Sequence, residues 1–413
     1  MDPKDCRLLC VTDRRFWRRS IGSEQRVASQ LVHLARRGHP LVVAYPGRLG
    51  AEERREVEAF ARALPDCVVR ARRFGARDWI DLVGGRIASA GPDANPLLRA
   101  RSPARRRFVS RVLQETAPRV VIVQMTRLTP LVHPRTPAAA GSVLHLLDAH
   151  DLLARRAARA RAIGLAPDLD VSADQEREAF ATYDAILAIQ AVEAEAIRAR
   201  LPDRPVLVVP HGLALPALPS GRPGRDERIR LGFLGGRDAA NDDALHWFLD
   251  RVWPVLHEQV AGRVELVVGG RVCGGWTRIE RGVRVVGAVA SIDTFWPEID
   301  VAINPVRFGS GLKIKNVEAL AWARALVTSP IGAEGLEAAA PTGLCIAETP
   351  AQWHSTLLDL IERPERIDAL GRAGRRHAER HFSERAAFAE LDAFLDALPT
   401  GSPVVGRASG RSG

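Results

Sequence analysis

At 413 residues the chain exceeds the size at which one hydrophobic core keeps growing, so two domains are expected. Hydrophobic residues at 46% against 26% charged describe a globular protein and argue against a disordered or fibrous one. The formal net charge of +10 asks for an anionic partner, which nucleic acid, a membrane surface or a phosphorylated ligand would each satisfy.

In chain order, the charged start Met1-Asp2-Pro3-Lys4-Asp5 runs directly into an apolar strand at 7–12, which is not the pattern of a secretory signal. No apolar run approaches the ~18 residues of a membrane span. A helix over 23–37 follows, with Val27, Leu31, Leu34 and Ala35 at helical spacing and Gly38 as its stop. Strands are expected at 41–45, 67–71, 120–124, 143–147, 185–189 and 206–209, with helices at 51–63, 104–115, 172–182 and 192–200. This alternation is the signature of a parallel α/β sheet. Residues 74–102, rich in Gly, Pro and Arg, take no assignment. The charge surplus peaks at Arg99, Arg101, Arg105, Arg106, Arg107 and Arg111, with only Phe108 interleaved. That cluster lacks the stacking platform of single-strand binders, so it reads as a solvated face or a contact with an anionic membrane, not nucleic acid.

Residues 216–226 are a linker by composition. The alternation then restarts with a strand at 230–234, a long helix at 242–259 and strands at 264–268, 284–286, 301–304 and 325–328. Helix continues from 350 to about 398, and the Gly/Ser/Arg-rich tail 400–413 is expected to be disordered. Two α/β units facing each other form a cleft, where such folds bind ligands. The five scattered cysteines, Cys6, Cys10, Cys67, Cys273 and Cys345, contain no Cys-x-x-Cys pair. They read as reduced thiols of a cytoplasmic protein, with neither a disulfide framework nor a metal site.

One compositional bias points to the chemistry. Of 59 basic residues only Lys4, Lys313 and Lys315 are lysines. Two of the three lie in Arg307-Phe308-Gly309-Ser310-Gly311-Leu312-Lys313-Ile314-Lys315-Asn316-Val317-Glu318, which reads as strand end, glycine turn and helix start. Glycines admit close backbone approach, and a helix N-terminus offers unpaired N–H groups and partial positive charge to an anion. Lysine adds a compact charge suited to phosphate, and Glu318 is placed to hydrogen-bond ribose hydroxyls. The segment therefore predicts a nucleoside diphosphate site.

From Arg230 to about Phe388 the sequence resembles the donor domain of the retaining glycosyltransferases of family 4 (group 1), which have the GT-B fold. The matching residues are Phe233-Leu234-Gly235-Gly236, Asn241, Trp247-Phe248-Leu249, Trp253-Pro254, the run from Asn304 to Lys315, Glu318-Ala319-Leu320-Ala321 and Gly332-Ala333-Glu334-Gly335-Leu336. The resemblance implies that Glu318 binds the donor ribose and that Lys315, with Lys313, meets the diphosphate. Phe308, Gly309, Ser310, Gly311 and Leu312 form the loop around it. Many members carry a second glutamate near the transferred sugar, where this chain has Ser310. More loosely, Gly22 within Ser20-Ile21-Gly22-Ser23-Glu24-Gln25-Arg26 resembles the family's glycine loop, and His150 its cleft-facing histidine. Asp148 and Asp151 are expected to hold that imidazole in one tautomer. His211 resembles a structural hinge residue, and Arg237, after Gly235 and Gly236, is expected as a second phosphate contact or else a surface arginine. Ser383 is expected to cap a final helix crossing back onto the first domain.

The expected architecture is thus α/β with two Rossmann-like domains: 1–212, 213–382 for the nucleotide-sugar donor, the crossover helix 383–399 and the tail 400–413. The resemblance implies transfer of a sugar from a nucleoside-diphosphate sugar to a carbohydrate, lipid-linked or small-molecule acceptor, with retention and no cofactor or metal. A catalytically silent nucleotide-sugar-binding scaffold and an epimerase of the same fold are the alternatives.

Overall fold

A strand covered by helices on both faces must be largely apolar, and the central strands of this chain are, with polar residues such as Gln124 and Asp148 at their carboxyl ends. In the first half β1 (Leu8–Val11), β2 (Leu41–Tyr45) and β4 (Val120–Gln124) are buried at every position. They form a parallel seven-stranded sheet with β3 (Cys67–Ala71), β5 (Leu144–Asp148), β6 (Ala185–Ala188) and β7 (Val206–Val208), in the order β3-β2-β1-β4-β5-β6-β7. The second sheet uses β8 (Ile229–Leu234), β9 (Val264–Gly269), β10 (Val283–Gly287), β11 (Val301–Asn304), β12 (Ala325–Thr328) and β13 (Cys345–Ile346), ordered β10-β9-β8-β11-β12-β13. Each sheet reverses its winding beside its first strand, between β1 and β4 and between β8 and β11. Crevices open at the carboxyl ends of the strands at such switch points. The two-sheet α/β architecture expected from the sequence is therefore present.

The computed structural model describes residues 2, 4, 6–73, 95–98, 102–132, 143–218, 228–260, 262–274, 280–289 and 291–399. Most of the unassigned stretch 74–102, most of the linker, Arg99, Arg101 and the tail 400–413 lie outside the described residues. Among the described residues no helix is long and apolar enough to cross a membrane.

The helix expected from 350 to about 398 is four, Pro350–Glu362, Pro364–Phe382, Glu384–Ala387 and Ala389–Asp396, and two further differences have identifiable reasons. The single helix expected at 242–259 is two, Ala239–Arg251 and Trp253–Val260. Pro254 lacks the N–H that an unbroken helix requires, and Asp238 caps the first helix early by accepting from the Ala240 and Asn241 amides. A helix at Leu153–Ala162 was not anticipated. Its buried face is only Ala154, Ala157 and Ala160, too weakly apolar to show as periodicity among its arginines.

The chain returns to the first domain at its end. The helix Pro364–Phe382 closes the second domain, and the Leu213 amide then donates to the Phe382 carbonyl. Ser383 was expected to cap the next helix. Its side chain makes no cap hydrogen bond, because its extended backbone pairs with Leu213 instead. Beyond it Phe388, Leu391 and Leu395 are buried in the first domain's core, and Asp392 pairs with His33 at 2.9 Å and Arg37 at 2.8 Å. Phe388 stacks on His33 at 4.4 Å and lies against Gly212. Phe388→Ala is expected to destabilise the first domain by about 3–5 kcal/mol, read as a fall in its melting transition. An unchanged transition would show that the returning segment is not part of that core.

Candidate active site

The two domains enclose a cleft of about 1230 Å³. Every residue singled out above as a catalytic or donor-binding candidate lines it except Gly311, which is buried in the wall. The domains touch closely here: a side chain added at Gly22 would meet Ile314 at 3.2 Å, and one at Gly236 would meet Ile21 at 3.5 Å. Small residues at these points let two walls approach a common ligand.

The second-domain wall is built where β8 and β11 end. β11 stops at Asn304, the chain turns through Gly309 (φ 134°) and Gly311 (φ 73°), and the helix Ile314–Ala321 begins. Both glycines hold backbone conformations that side chains rarely adopt. At Gly311 an added Cβ would also lie 2.6 Å from the His150 carbonyl oxygen. Lys315 stands 4.4 Å over the Phe233 ring and donates to Asn241 Oδ1 at 2.6 Å. Asn241 is itself held by its donation to Asp238 at 2.6 Å and to the Gly236 carbonyl. Burial pushes the Lys315 ammonium down to about 8, against the pull of Asp238. Lys313 is lowered to about 8 in the same way, and its Nζ bonds the Gly311 carbonyl at 2.7 Å and that of Ser310 at 3.2 Å. Lys313 therefore fastens the turn, while Lys315 faces the cleft beside the Gly235-Gly236 loop. Arg237 is exposed at that loop's edge.

Glu318 is buried, and its Oε1 has no hydrogen-bond partner. Burial pushes its carboxyl up to about 8, with Trp296, Gln25 and Lys315 pulling only partly the other way. Asn304, also lining the cleft, is fully buried with both amide atoms unpartnered. Sequence reasoning gave Asn304 no role, although it opens the motif run. Unsatisfied polar atoms of this kind are uncommon in native interiors and suit a site completed by a ligand. Because Lys315 loses its proton and Glu318 gains charge as the pH rises through about 8, both changes oppose an anionic ligand. Once the ligand's own last phosphate ionisation, at about pH 6, is complete, the affinity for a nucleoside diphosphate should fall above about pH 8, approaching roughly tenfold per unit for each proton lost. Calorimetric titration across pH 6–9.5 measures this; a flat profile would contradict it.

The first-domain wall differs from expectation in one respect. His150, in the left-handed region at φ 64°, was expected to be held by Asp148 and Asp151. Its Nε2 instead meets Gln124 Oε1 at 2.8 Å, while Asp148 is 3.7 Å away. Asp148 is occupied: Arg26 grips it through Nε and Nη2, the latter at 2.7 Å, and Gln30 donates to it. Arg26 and Asp148 are both buried, and such a pair keeps its geometry fixed. Burial pushes the His150 ring down to about 4, so it is neutral at pH 7. With Nε2–H donated to Gln124, Nδ1 is left as the acceptor. Asp151 faces the loop instead, where Ser310 Oγ donates to the Leu152 carbonyl at 3.0 Å and approaches Asp151 at 3.3 Å. Ser310, expected beside a transferred sugar, thus spends its hydroxyl on the opposite domain.

Further contacts join the walls. The Gly311 amide donates to Glu193 at 2.7 Å, and Arg159 donates to the Gly309 carbonyl at 2.8 Å. Arg155 and Arg159 both pair with Glu334. Glu334 belongs to a quoted motif, but its partners sit in the unanticipated alanine-faced helix, so the pairing was not legible. His211 is buried away from the cleft lining, and burial pushes its ring to about 3.

Residues 228–363, the core of the second domain, match the family model described as "Glycosyl transferases group 1". No curated protein sequence matches the chain. Among solved structures, that of TarM superposes with TM-score 0.70 at 9% identity, covering 96% of this chain and 99% of TarM. A sucrose-phosphate synthase from Thermosynechococcus elongatus follows at 0.66 and 12%, covering 95% and 98%. HepE from Anabaena, in complex with UDP and glucose, gives 0.63 and 12%, covering 95% and 100%. At these identities the likeness establishes a shared fold, that of the GT-B glycosyltransferases.

Proposed function

We propose that this protein is a glycosyltransferase that moves a sugar from a nucleoside-diphosphate sugar to an acceptor hydroxyl with retention of configuration. The observation that carries the reading is the ammonium of Lys315, held by Asn241 beside the glycine loops, with Glu318 on the same helix and its Oε1 left without a partner. Glu318 would take the ribose hydroxyls, and Lys315, the Gly235-Gly236 amides and Arg237 the diphosphate. As the glycosidic C–O bond breaks, negative charge grows on the diphosphate oxygens. Fixed cationic groups in a water-poor cleft stabilise that charge without reorganising, which is where the rate enhancement would arise. The departing phosphate would accept the proton of the incoming hydroxyl on the same face, giving retention. His150, neutral with Nδ1 free to accept, would orient a sugar hydroxyl. The group 1 family match over the second domain and the UDP held by HepE support the donor class.

Incubation with a panel of nucleoside-diphosphate sugars should release the nucleoside diphosphate from one of them, slowly alone and faster with acceptor. Release from none would overturn the proposal. In the same assay His150→Ala should lower the rate at saturating donor while leaving the donor KM within about threefold, because the ring meets the sugar and not the nucleotide. Equal loss in both would make His150 part of donor binding.

A further inference from the structure

Among the described residues, the first domain contributes seven arginines but three carboxylates to the cleft lining. The excess is densest where three elements end together. Arg14 follows β1, Arg105 lies in the first turn of the helix Pro103–Thr116, and Arg127 stands in the short turn Thr126–Leu131 after β4. All three converge on one carboxylate, Asp13: Arg14 Nε at 3.4 Å, Arg105 Nη2 at 3.3 Å, and Arg127 through Nη2. One carboxylate offsets one of three guanidinium charges, so two positive charges remain in the group. Moreover, the Nε of Arg105 is buried and donates no hydrogen bond. Buried donors without acceptors are costly unless a ligand completes them. The arginines are about one-fifth to one-third exposed, open enough to be reached from the cleft. Arg105, part of the basic cluster noted in the sequence, is thereby turned into the cleft, and its helix N-terminus adds partial positive charge.

Resting on the transferase reading above, we propose that this arginine cluster binds a phosphate ester on the acceptor, so that the protein glycosylates a phosphorylated substrate. A phosphate monoester carries up to two negative charges and three acceptor oxygens. That matches two surplus charges and fork-shaped donors better than a carboxylate does. Asp13 keeps the three guanidinium groups together when the site is empty.

The test is binding of glucose 6-phosphate, farnesyl phosphate, glucose and glucuronate, each with and without saturating UDP. Wild type is compared with the double variant Arg105→Gln/Arg127→Gln. One or both phosphate esters should bind at least about tenfold more tightly than glucose and glucuronate, with UDP present, and lose that preference in the double variant. Binding of the sugar ester alone identifies a soluble acceptor, and of the farnesyl ester a lipid-borne one. If UDP binds but the esters bind no better than glucose, the inference fails and the donor site stands. It also fails if UDP displaces the esters, since they would then occupy the donor's place, or if the double variant binds them unchanged. If the esters bind and no nucleoside diphosphate does, the arginine site stands and the donor reading falls.

Discussion

Lys315→Ala should lower sugar transfer by about 10²–10³-fold, the loss typical of removing one donor aimed at developing charge. The effect is expected in kcat as much as in donor affinity, because the diphosphate is more negative while leaving than in the bound donor. Lys315 lies over Phe233 and against Asn241 in a site that lowers its pKa to about 8, so it would meet a diphosphate's oxygens with little intervening water. Its removal leaves Asn241 Nδ2 still bonded to Asp238 and Gly236 and costs only the acceptor Oδ1 its partner, at the edge of the cleft, so the melting temperature should barely move. Lys315→Arg should restore only part of the rate, since a planar fork does not fit the place of a compact ammonium between ring and amide. Wild-type turnover by the alanine variant would remove Lys315 from the mechanism.

Glu318→Ala should weaken nucleoside diphosphate binding by about 10–100-fold, corresponding to hydrogen bonds between the ribose hydroxyls and a buried carboxyl. Stability gives a second, opposite reading. The folded-state pKa of Glu318, about 8, lies above its ordinary value of 4.5. The stability linked to this group is therefore full below pH 4.5 and lost as the pH rises through about 8, because folding must retain a proton the unfolded chain releases. Glu318→Gln removes that dependence and should make the ligand-free protein more stable at pH 8, while still weakening nucleotide binding. A residue whose loss stabilises the fold and impairs the ligand is there for the ligand. If Glu318→Gln instead destabilises the protein and spares binding, the carboxyl is structural.

The sequence was most informative where backbone need and chemistry coincide. The glycines of the 309–311 turn, the two lysines and Glu318 stand close together, so their grouping around one cleft could be read directly. All the strands but the two-residue edge strand Cys345–Ile346 were legible as short, mostly apolar runs between turn residues, and the cleft followed from two α/β units. What could not be read were contacts between residues far apart in sequence. Gln124 and His150 meet only because β4 and β5 are neighbours in the sheet, and nothing near His150 distinguishes Gln124 from Asp148 as its partner. Asp148, the adjacent and charged choice, is taken by Arg26, more than a hundred residues earlier in the chain. Ser310 could be read against a family pattern, but its bond to Leu152 depends on how the domains dock. The alanine-faced helix that carries Arg155 and Arg159 gave no periodic signal, so the interdomain pairs with Glu334 were hidden with it.

If Lys315 and its loop hold the diphosphate of a nucleotide, removing the ammonium must erase the protein's discrimination between diphosphate and monophosphate. Calorimetric titration of wild type and Lys315→Ala with UDP, GDP, ADP and dTDP, each beside its monophosphate, tests it most directly. One diphosphate should bind wild type more than about tenfold tighter than its monophosphate, and that preference should vanish in Lys315→Ala, the coupling a direct contact requires. No diphosphate binding to wild type, or a preference unchanged by the substitution, would contradict the account.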